Sequence, residues 1–192
     1  SGIAPSKAWK KRRFEQPWYP GDTISVGIGQ GYNLVTPLQL AVATAALANG
    51  QTLVRPVLSR FGARPFSDRA SASPQPNPGQ PLMLSSKHIH VLQKAMEDVM
   101  RSGGTAAGAA RGADYSMAGK TGTAQVFSLK GAEYDEDSLE KRLQDHALFV
   151  GYAPANQPTI ALAVVVENGG GGGSVAAPIA RKVFDAYFDA RP

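Results

Sequence analysis

The sequence of 192 residues contains no cysteine. This absence excludes a disulfide framework, a thiol nucleophile and a cysteine-bound zinc ribbon; it leaves the redox compartment open and is compatible with an oxidising periplasm. The chain also lacks an uninterrupted apolar run of about 18 residues, the length that spans a bilayer. Its N-terminus has no charged-then-apolar signal pattern. We therefore expect any membrane anchor to lie outside this chain.

Hydrophobic residues make up 43% of the chain and charged residues 18%, which is typical of one globular domain with a substantial core. The formal net charge is +5, from 20 basic and 15 acidic residues. This balance favours anionic partners such as a polymer, a membrane surface or a carboxylate-bearing substrate. A solvated basic surface explains it equally well.

The most informative stretch is 119–124, Gly-Lys-Thr-Gly-Thr-Ala, which is followed by Gln-Val-Phe. A Gly-Lys-Thr triplet also ends the nucleotide-binding P-loop, but that motif requires glycine at position 114, where this chain has Asp114. The P-loop also continues into a helix, whereas residues 123–127 favour a strand. The stretch is better explained as the Lys-Thr-Gly element of serine acyl-transfer enzymes, which lies on a strand beside the active site.

Three helices are predicted from capping signals and periodicity. The first begins at the N-cap Thr36, with Pro37 at its first position and Gln39 completing a capping box, and it ends at 49–50. The second runs from 85 or 86 to about 102, because apolar residues recur there at three- and four-residue spacing. The third starts near 178. Its predicted buried stripe consists of Ile179, Val183, Phe184 and Phe188.

Three strands are predicted in the second half of the chain, over 116–127, 147–153 and 159–167. The third is apolar on both faces, as expected for a strand central to a covered sheet. A short link joins the last two strands, so they should pair antiparallel. The charged segment 128–145 is predicted to be a mobile loop or a short helix. A short β-prone piece at 52–58 and an exposed proline-rich loop at 62–81 precede the second helix.

Three other stretches carry weaker signals. Segment 1–22 interleaves basic and aromatic residues, a combination that binds nucleic acid, but prolines divide it and no nucleic-acid motif accompanies it. We expect a surface loop with its aromatic residues packed down, and no nucleic-acid partner.

Segment 27–31 has G-x-G-x-G spacing, which differs from the dinucleotide fingerprint, and is predicted to be a flexible lead-in to a helix. The five glycines at 169–173 are predicted to be a flexible connector.

Several motifs occur in a fixed order along the chain. They are GIGQG at 27–31, TPLQ at 36–39, GGT at 103–105, KTGTA at 120–124, HALF at 146–149, GYAP at 151–154 and VENG at 166–169. Together they resemble the C-terminal part of a class B penicillin-binding protein transpeptidase domain. The WYPGDT segment at 18–23 and the QVF at 125–127 are similar to the penicillin-binding protein 2 group of the elongation machinery. The resemblance extends over nearly all of residues 1–192, which we interpret as one part of a single domain.

This resemblance implies an α/β fold of the α+β type, with helices flanking an antiparallel sheet of which the last three of five strands are present. It implies a serine-type peptidoglycan D,D-transpeptidase, an acyltransferase that cross-links D-Ala-D-Ala stem peptides during cell elongation and shape maintenance and is a β-lactam target. Implied partners are the stem peptide, β-lactam antibiotics, membrane proteins of the elongation complex and the missing N-terminal part of the domain. The implied location is the periplasmic face of the bacterial inner membrane. No cofactor or metal is implied.

Four residues are implied to be catalytic: Lys120, Thr121, Gly122 and Thr123, the last through its backbone N–H in the oxyanion hole. Substrate binding is implied for Lys120, Thr121, Thr123 and Ala124. The chemistry of the residues agrees, because Lys120 attracts the terminal carboxylate of the substrate and the two threonine hydroxyls donate hydrogen bonds to it. Gly122 has no side chain to obstruct a peptide that lies along the strand edge.

The nucleophile of the family is the serine of an S-x-x-K motif, and an S-x-N motif completes its site. Ser138 to Lys141 has the S-x-x-K pattern, but it follows the Lys-Thr-Gly strand and lies in the charged segment, so we reject Ser138 as the nucleophile. No S-x-N occurs in the sequence. We therefore expect a fragment of a catalytic domain that is inactive alone.

Two alternatives remain open: a β-lactamase-like hydrolase of the same fold, and a non-enzymatic module that binds peptidoglycan or a morphogenesis partner. The segment 128–145 is expected to border the site and to change its order on acylation. His146, at the start of a predicted strand, is expected to be structural.

Overall fold

The computed structural model describes residues 2–50, 52–56, 80–81, 84–124 and 144–190. The elements in these ranges are α1 (Lys7–Phe14), α2 (Pro20–Gly27), α3 (Pro37–Ala48), β1 (Thr52–Leu53), β2 (Gln80–Pro81), α4 (Ser86–Met100), α5 (Ala107–Ala110), β3 (Ala118–Ala124), β4 (His146–Ala153), β5 (Ile160–Val166), a π-helical turn (Gly172–Ala176) and α6 (Ala177–Asp189). Ser138, the 125–127 end of the predicted strand, and most of the segments 62–81 and 128–145 lie outside the described residues. Within the described ranges, no helix is long and apolar enough to cross a membrane.

The centre of the fold is an antiparallel sheet with strand order β3-β4-β5. Lys120 lies opposite Val150 in the β3-β4 register, and Gly151 lies opposite Leu162 in the β4-β5 register. The three predicted strands and their antiparallel pairing are therefore confirmed. β5 lies at the edge of the sheet in the described part of the chain, as expected for a strand whose further partner, the first strand of the family sheet, is not among these three.

Both faces of the sheet are covered because β4 buries side chains on each side. Phe149 packs with Phe184 of α6 and with Met117, just before β3, on one face, and the cluster includes residues of the π-helical turn. Tyr152 packs with Met96 of α4 and with residues of α3 on the other. Burying such large side chains stabilises the fold by about 1.5–3 kcal/mol each. Burial of its hydroxyl group also raises the pKa of Tyr152 to about 12.

The predicted helix starts are confirmed where a local capping signal is strong. Thr36 accepts a hydrogen bond from the backbone N–H of Gln39, whose side chain accepts one from the Thr36 N–H, as a capping box requires. The helix α4 follows its N-cap Ser85 directly. The helix α6 begins at 177, one residue before the predicted position.

The predicted buried stripe of α6 is half wrong. Phe184 is fully buried, but Ile179 and Val183 are 40% and 45% exposed, and the other buried positions are Ala177 and Ala180. These small residues pack into the same buried cluster as Phe149 of β4. The larger branched residues consequently point away from it.

The prediction of a loop at 1–22 is wrong, because the segment contains all of α1 and the first three residues of α2. Ser6 caps α1 by accepting a hydrogen bond from the Trp9 N–H, and Pro20 occupies the first turn of α2. Prolines separate the two helices without interrupting either of them. The expected packing of aromatic residues is confirmed: Trp9, Phe14 and Tyr32 stack in a cluster with ring centroids 5.3, 5.4 and 5.6 Å apart.

An ion pair joins the two N-terminal helices. The side chain of Lys10 is only 2% exposed, and its ammonium lies 2.5 Å from the Asp22 carboxylate and 4.6 Å from the centre of the Tyr19 ring. Asp22 also accepts a hydrogen bond from the Tyr19 N–H. These bonds, the one from Lys10 first, hold the pKa of Asp22 below its usual value. The carboxylate therefore stays ionised and keeps the buried lysine paired.

Two smaller elements refine the loop predictions. Thr52 and Leu53 of the predicted β-prone piece pair with Pro81 and Gln80 at the end of the proline-rich segment, in a short ladder. The small-residue connection between α4 and β3 contains α5, which was not predicted. Arg181 of α6 donates hydrogen bonds to the carbonyl oxygens of Ala109, Arg111 and Gly112 at the end of α5.

Candidate active site

The predicted site residues lie on β3, which pairs with β4 along one edge and has no strand partner on the other among the described residues. Successive residues of an antiparallel strand direct their backbone groups to opposite edges. The carbonyl oxygens of Thr121 and Thr123 accept hydrogen bonds from the side chains of Lys120 and Gln30, so they face the open edge. The N–H groups of the same two residues share that direction. The Thr123 N–H is thus available at the edge, as an oxyanion hole requires.

The side chains of 120–123 divide between the two faces of the sheet. Thr121 lies opposite Phe149 and is therefore on the face that packs against α5 and α6, whereas Lys120 is on the face covered by α3 and α4. Lys120 is exposed, and its ammonium donates a hydrogen bond of 2.6 Å to the Thr121 carbonyl oxygen. Thr123 is exposed as well. A positive charge and two hydroxyl groups consequently flank one accessible row of backbone groups.

Gly119 and Gly122 provide the close packing of this strand. A Cβ atom on Gly119 would lie 2.3 Å from the Phe149 ring, so only glycine fits beneath that side chain. A Cβ on Gly122 would lie 3.3 Å from Leu148. The glycines of the motif therefore serve the packing of the sheet as well as access to its edge.

Thr105, in the GGT motif at 103–105, is a neighbour of the site for which the sequence predicted no role. Its hydroxyl lies 3.1 Å from the hydroxyl of Thr121. The preceding turn contains Gly103 with a φ of 86° and Gly104, where a Cβ would lie 2.3 Å from the Val99 carbonyl oxygen. The two glycines are required by this tight turn at the end of α4. The turn places a third hydroxyl group beside β3.

Gln30 is a second neighbour of the site for which the sequence predicted no role. Its side-chain amide donates a hydrogen bond of 3.0 Å to the Thr123 carbonyl oxygen, across 93 positions of sequence. Gly29 and Gly31 on either side have φ values of 78° and 69°, and the Gln30 N–H donates to the Ser25 carbonyl oxygen. The segment predicted as a flexible lead-in is therefore an ordered turn that presents this amide.

The glycine run at 169–173 is not the predicted flexible connector. It contains the start of a π-helical turn that packs on the sheet: a Cβ on Gly172 would lie 2.5 Å from the Gly122 carbonyl oxygen, and one on Gly173 would lie 2.2 Å from that of Thr105. Glycine is needed here because two backbones meet without room for side chains.

His146 has a structural partner, as was expected. Its Nδ1 accepts a hydrogen bond of 2.9 Å from the Asn168 N–H, and the Asn168 side-chain amide donates to the Gln144 carbonyl oxygen. The Gly170 N–H donates to the carbonyl oxygen of Asp145. These bonds fix the start of β4 to the segment after β5.

The site is a strand edge and not an enclosed cavity. A cavity of about 180 Å³ lies between the end of α4 and the start of β3, and Glu97, Met100, Tyr115 and Met117 contribute to its lining. It includes none of the residues 119–124. Small-molecule pockets usually measure about 300–1,000 Å³, so this cavity is also too small to be the expected site.

An antiparallel sheet with helices on both faces and a Lys-Thr-Gly edge strand defines a class of serine acyl-transfer domains that bind peptides along that edge. The family model of the penicillin-binding protein transpeptidase domain matches residues 4–185. The chain belongs to this family, which confirms the resemblance found in its motifs and the α+β fold class.

Similar proteins come from several bacteria. The chain is 44% identical over 193 residues to the peptidoglycan D,D-transpeptidase MrdA of Haemophilus influenzae. The alignment covers 97% of the chain and 29% of that protein. It is 45% identical to MrdA of Acinetobacter baumannii, with coverage of 99% and 28%. The chain thus spans less than a third of the length of these curated relatives.

Solved structures agree with this comparison. The protein in the crystal structure of Pseudomonas aeruginosa penicillin-binding protein 2 in complex with WCK 5153 is 41% identical to this chain in sequence. The two structures superpose with a TM-score of 0.78, over 97% of this chain and 36% of the other. Penicillin-binding protein 2 of Helicobacter pylori in complex with MreC is 30% identical, with a TM-score of 0.79 and coverage of 98% and 31%.

Proposed function

We propose that this chain supplies the Lys-Thr-Gly edge of a serine peptidoglycan D,D-transpeptidase of the penicillin-binding protein 2 group, and that residues 1–192 form the C-terminal part of one transpeptidase domain. The observation that carries the proposal is the open edge of β3. It presents the Thr123 N–H beside the Lys120 ammonium and the hydroxyls of Thr121 and Thr123. The relatives named D,D-transpeptidase support it.

The substrate in this proposal is a stem peptide that ends in D-Ala-D-Ala and adds to β3 as a further strand. The Thr123 N–H binds the oxygen of the scissile carbonyl, an interaction worth about 3 kcal/mol in other acyl-transfer enzymes. Lys120 and the hydroxyls of Thr121 and Thr123 bind the terminal carboxylate. Gly122 and Ala124 leave the edge unobstructed for the peptide backbone.

The reaction requires a serine that this chain does not supply in our proposal. The serine oxygen forms an ester with the carbonyl carbon of the penultimate D-Ala, the bond to the terminal D-Ala breaks, and the leaving amine takes up a proton. An amine of a second stem peptide then attacks the ester, and the serine hydroxyl is regenerated. We place this serine and the S-x-N motif in the remainder of a longer protein, and not at Ser138.

The remaining partners follow from the same proposal. β-Lactams would acylate the serine as analogues of D-Ala-D-Ala. Membrane proteins of the elongation complex are proposed partners, and the Helicobacter pylori relative was solved in complex with MreC. The proposed location is the periplasmic face of the inner membrane, with the anchor outside this chain.

Labelling with a fluorescent penicillin, followed by intact mass measurement, tests this function. The longest native form that carries this chain should gain one stable covalent label, and the 192-residue chain alone should gain none. Labelling of the short chain would make Ser138 or another of its serines a nucleophile and overturn the site assignment. Rapid loss of the label with release of hydrolysed penicillin would indicate a β-lactamase-like hydrolase, and no labelling of either form would favour a non-enzymatic module.

A further inference from the structure

We propose that Gln30 is a specificity-determining residue, because its side-chain amide occupies the hydrogen-bonding position on β3 that the N–H of an incoming peptide or β-lactam must take. The inference rests on the transpeptidase function proposed above. It predicts that ligands with such an N–H displace Gln30, whereas ligands without one leave it in place.

The geometry of an antiparallel pair carries the argument. Two directly opposed residues of a hydrogen-bonded pair exchange both of their backbone bonds, N–H to carbonyl in each direction. If the Thr123 N–H binds the scissile carbonyl oxygen, the N–H of that same substrate residue points at the Thr123 carbonyl oxygen. The Gln30 amide nitrogen lies 3.0 Å from this oxygen. Gln30 and the substrate therefore compete for one acceptor.

The Gln30 backbone is fixed while its side chain is free to leave. The Gln30 N–H is bonded to the Ser25 carbonyl oxygen, and the Asn33 side chain donates to the carbonyl oxygen of Val26 in the same turn. The bond from the Gln30 side chain to Thr123 is exposed. Gln30 is half-buried, and rotation of its side chain breaks this exposed hydrogen bond, so displacement has a small but measurable cost.

The adjacent outward carbonyl of the strand is covered in a similar way. Lys120 donates to the Thr121 carbonyl oxygen at 2.6 Å through an exposed side chain. Edge strands in natural proteins are commonly protected by charged or polar side chains that prevent pairing with other chains. Gln30 and Lys120 protect this edge, and a ligand must remove the protection where it pairs.

The test compares two β-lactams on the longest native form that carries this chain. Benzylpenicillin has an acylamino N–H on the carbon next to its β-lactam carbonyl, at the place of the substrate N–H. Imipenem has a carbon substituent there. The second-order rate constant of acylation is measured for the wild type, for Gln30→Met, which keeps the length of the side chain without its donor, and for Gln30→Ala. The control is Gln16→Met, at an exposed position outside the site.

We expect Gln30→Met to accelerate acylation by benzylpenicillin roughly two- to tenfold, the equivalent of one net hydrogen bond, and to leave acylation by imipenem unchanged. Gln30→Ala should behave in the same way, and Gln16→Met should change neither rate. The inference would be overturned if the substitutions changed the acylation rates for both drugs by the same factor, changed neither rate, or slowed both. Gln30 would then have a purely structural role. Absence of acylation in the wild type would instead refute the proposed function itself.

Discussion

Gly172 lies directly against Gly122: a Cβ atom on Gly172 would be 2.5 Å from the Gly122 carbonyl oxygen and 2.4 Å from that of Leu148. The contact joins the turn that leads into α6 to the ladder between β3 and β4. Any change that pushes this turn outward also moves the backbone of the Lys-Thr-Gly strand. The position of the site thus depends on a residue fifty positions away.

Gly172→Ala should destabilise the fold by about 1–3 kcal/mol, because the added methyl group meets backbone atoms that cannot move independently. The penicillin acylation rate of the longer native form should fall as well, since β3 shifts. Gly108→Ala is the matched control, because a Cβ there meets nothing within 4 Å. Urea denaturation measures both variants, and equal stability of the two would contradict the prediction.

Lys120→Ala should slow acylation by benzylpenicillin roughly 10- to 100-fold in the longer native form. The estimate corresponds to the loss of a charge-assisted hydrogen bond to the ligand carboxylate, worth about 1.5–3 kcal/mol. Thermal stability should not change, because the side chain is exposed. Lys87→Ala, at an exposed position of α4, is the control. An unchanged rate in Lys120→Ala would remove Lys120 from the site.

The ion pair between Lys10 and Asp22 should make the N-terminal helices sensitive to acid. The folded-state pKa of Asp22 is lowered below its ordinary value of 3.8, so its stabilising effect is complete above that value and is lost as the pH falls through the folded-state pKa. We expect α1 and α2 to separate below a pH of about 4. Both tryptophans of the chain, Trp9 and Trp18, lie in this region, so tryptophan fluorescence reports on it selectively.

The variant that checks this interpretation is Asp22→Asn, which removes the titrating group. Its fluorescence at neutral pH should already resemble that of the acidified wild type, because the buried Lys10 would lose its counter-charge. A wild-type spectrum that stays constant down to the pH at which the whole fold is lost would refute a separate acid transition.

Arg181→Met should lower the free energy of unfolding by roughly 1–3 kcal/mol. The guanidinium donates to Asp185 and to the carbonyl oxygens of Ala109, Arg111 and Gly112, and methionine replaces none of these bonds. Lys182→Met, at the exposed next position of the same helix, should have little effect. Chemical denaturation of the two variants gives the comparison, and similar midpoints would mean that water replaces the lost donor.

The sequence predicted those features whose physical cause is local. The capping box of Thr36 and Gln39 determines a helix start within four residues, and apolar, β-branched runs determine β5 without reference to the rest of the chain. The Lys-Thr-Gly strand was found because its order among other motifs is specific. The first two signals are each contained in a short window, whereas the third depends on the order of motifs along the whole chain.

The features that the sequence did not predict depend on contacts between distant residues. Nothing near Gln30 indicates that its amide reaches Thr123, and nothing near Lys10 indicates burial, since its partner Asp22 is twelve residues further on. Gly172 was predicted to be part of a connector because a glycine run has the same composition whether it is free or tightly packed. Only the tertiary structure distinguishes these cases.

The outer edge of β5 has a consequence for handling the 192-residue chain. Val165 on this strand is 38% exposed, next to backbone groups of β5 that have no strand partner among the described residues. A second molecule can extend the sheet at that edge, and its apolar side chains make the association favourable. Preparations of the chain alone should therefore form oligomers as the protein concentration rises. A charged residue introduced at Val165 should keep them monomeric.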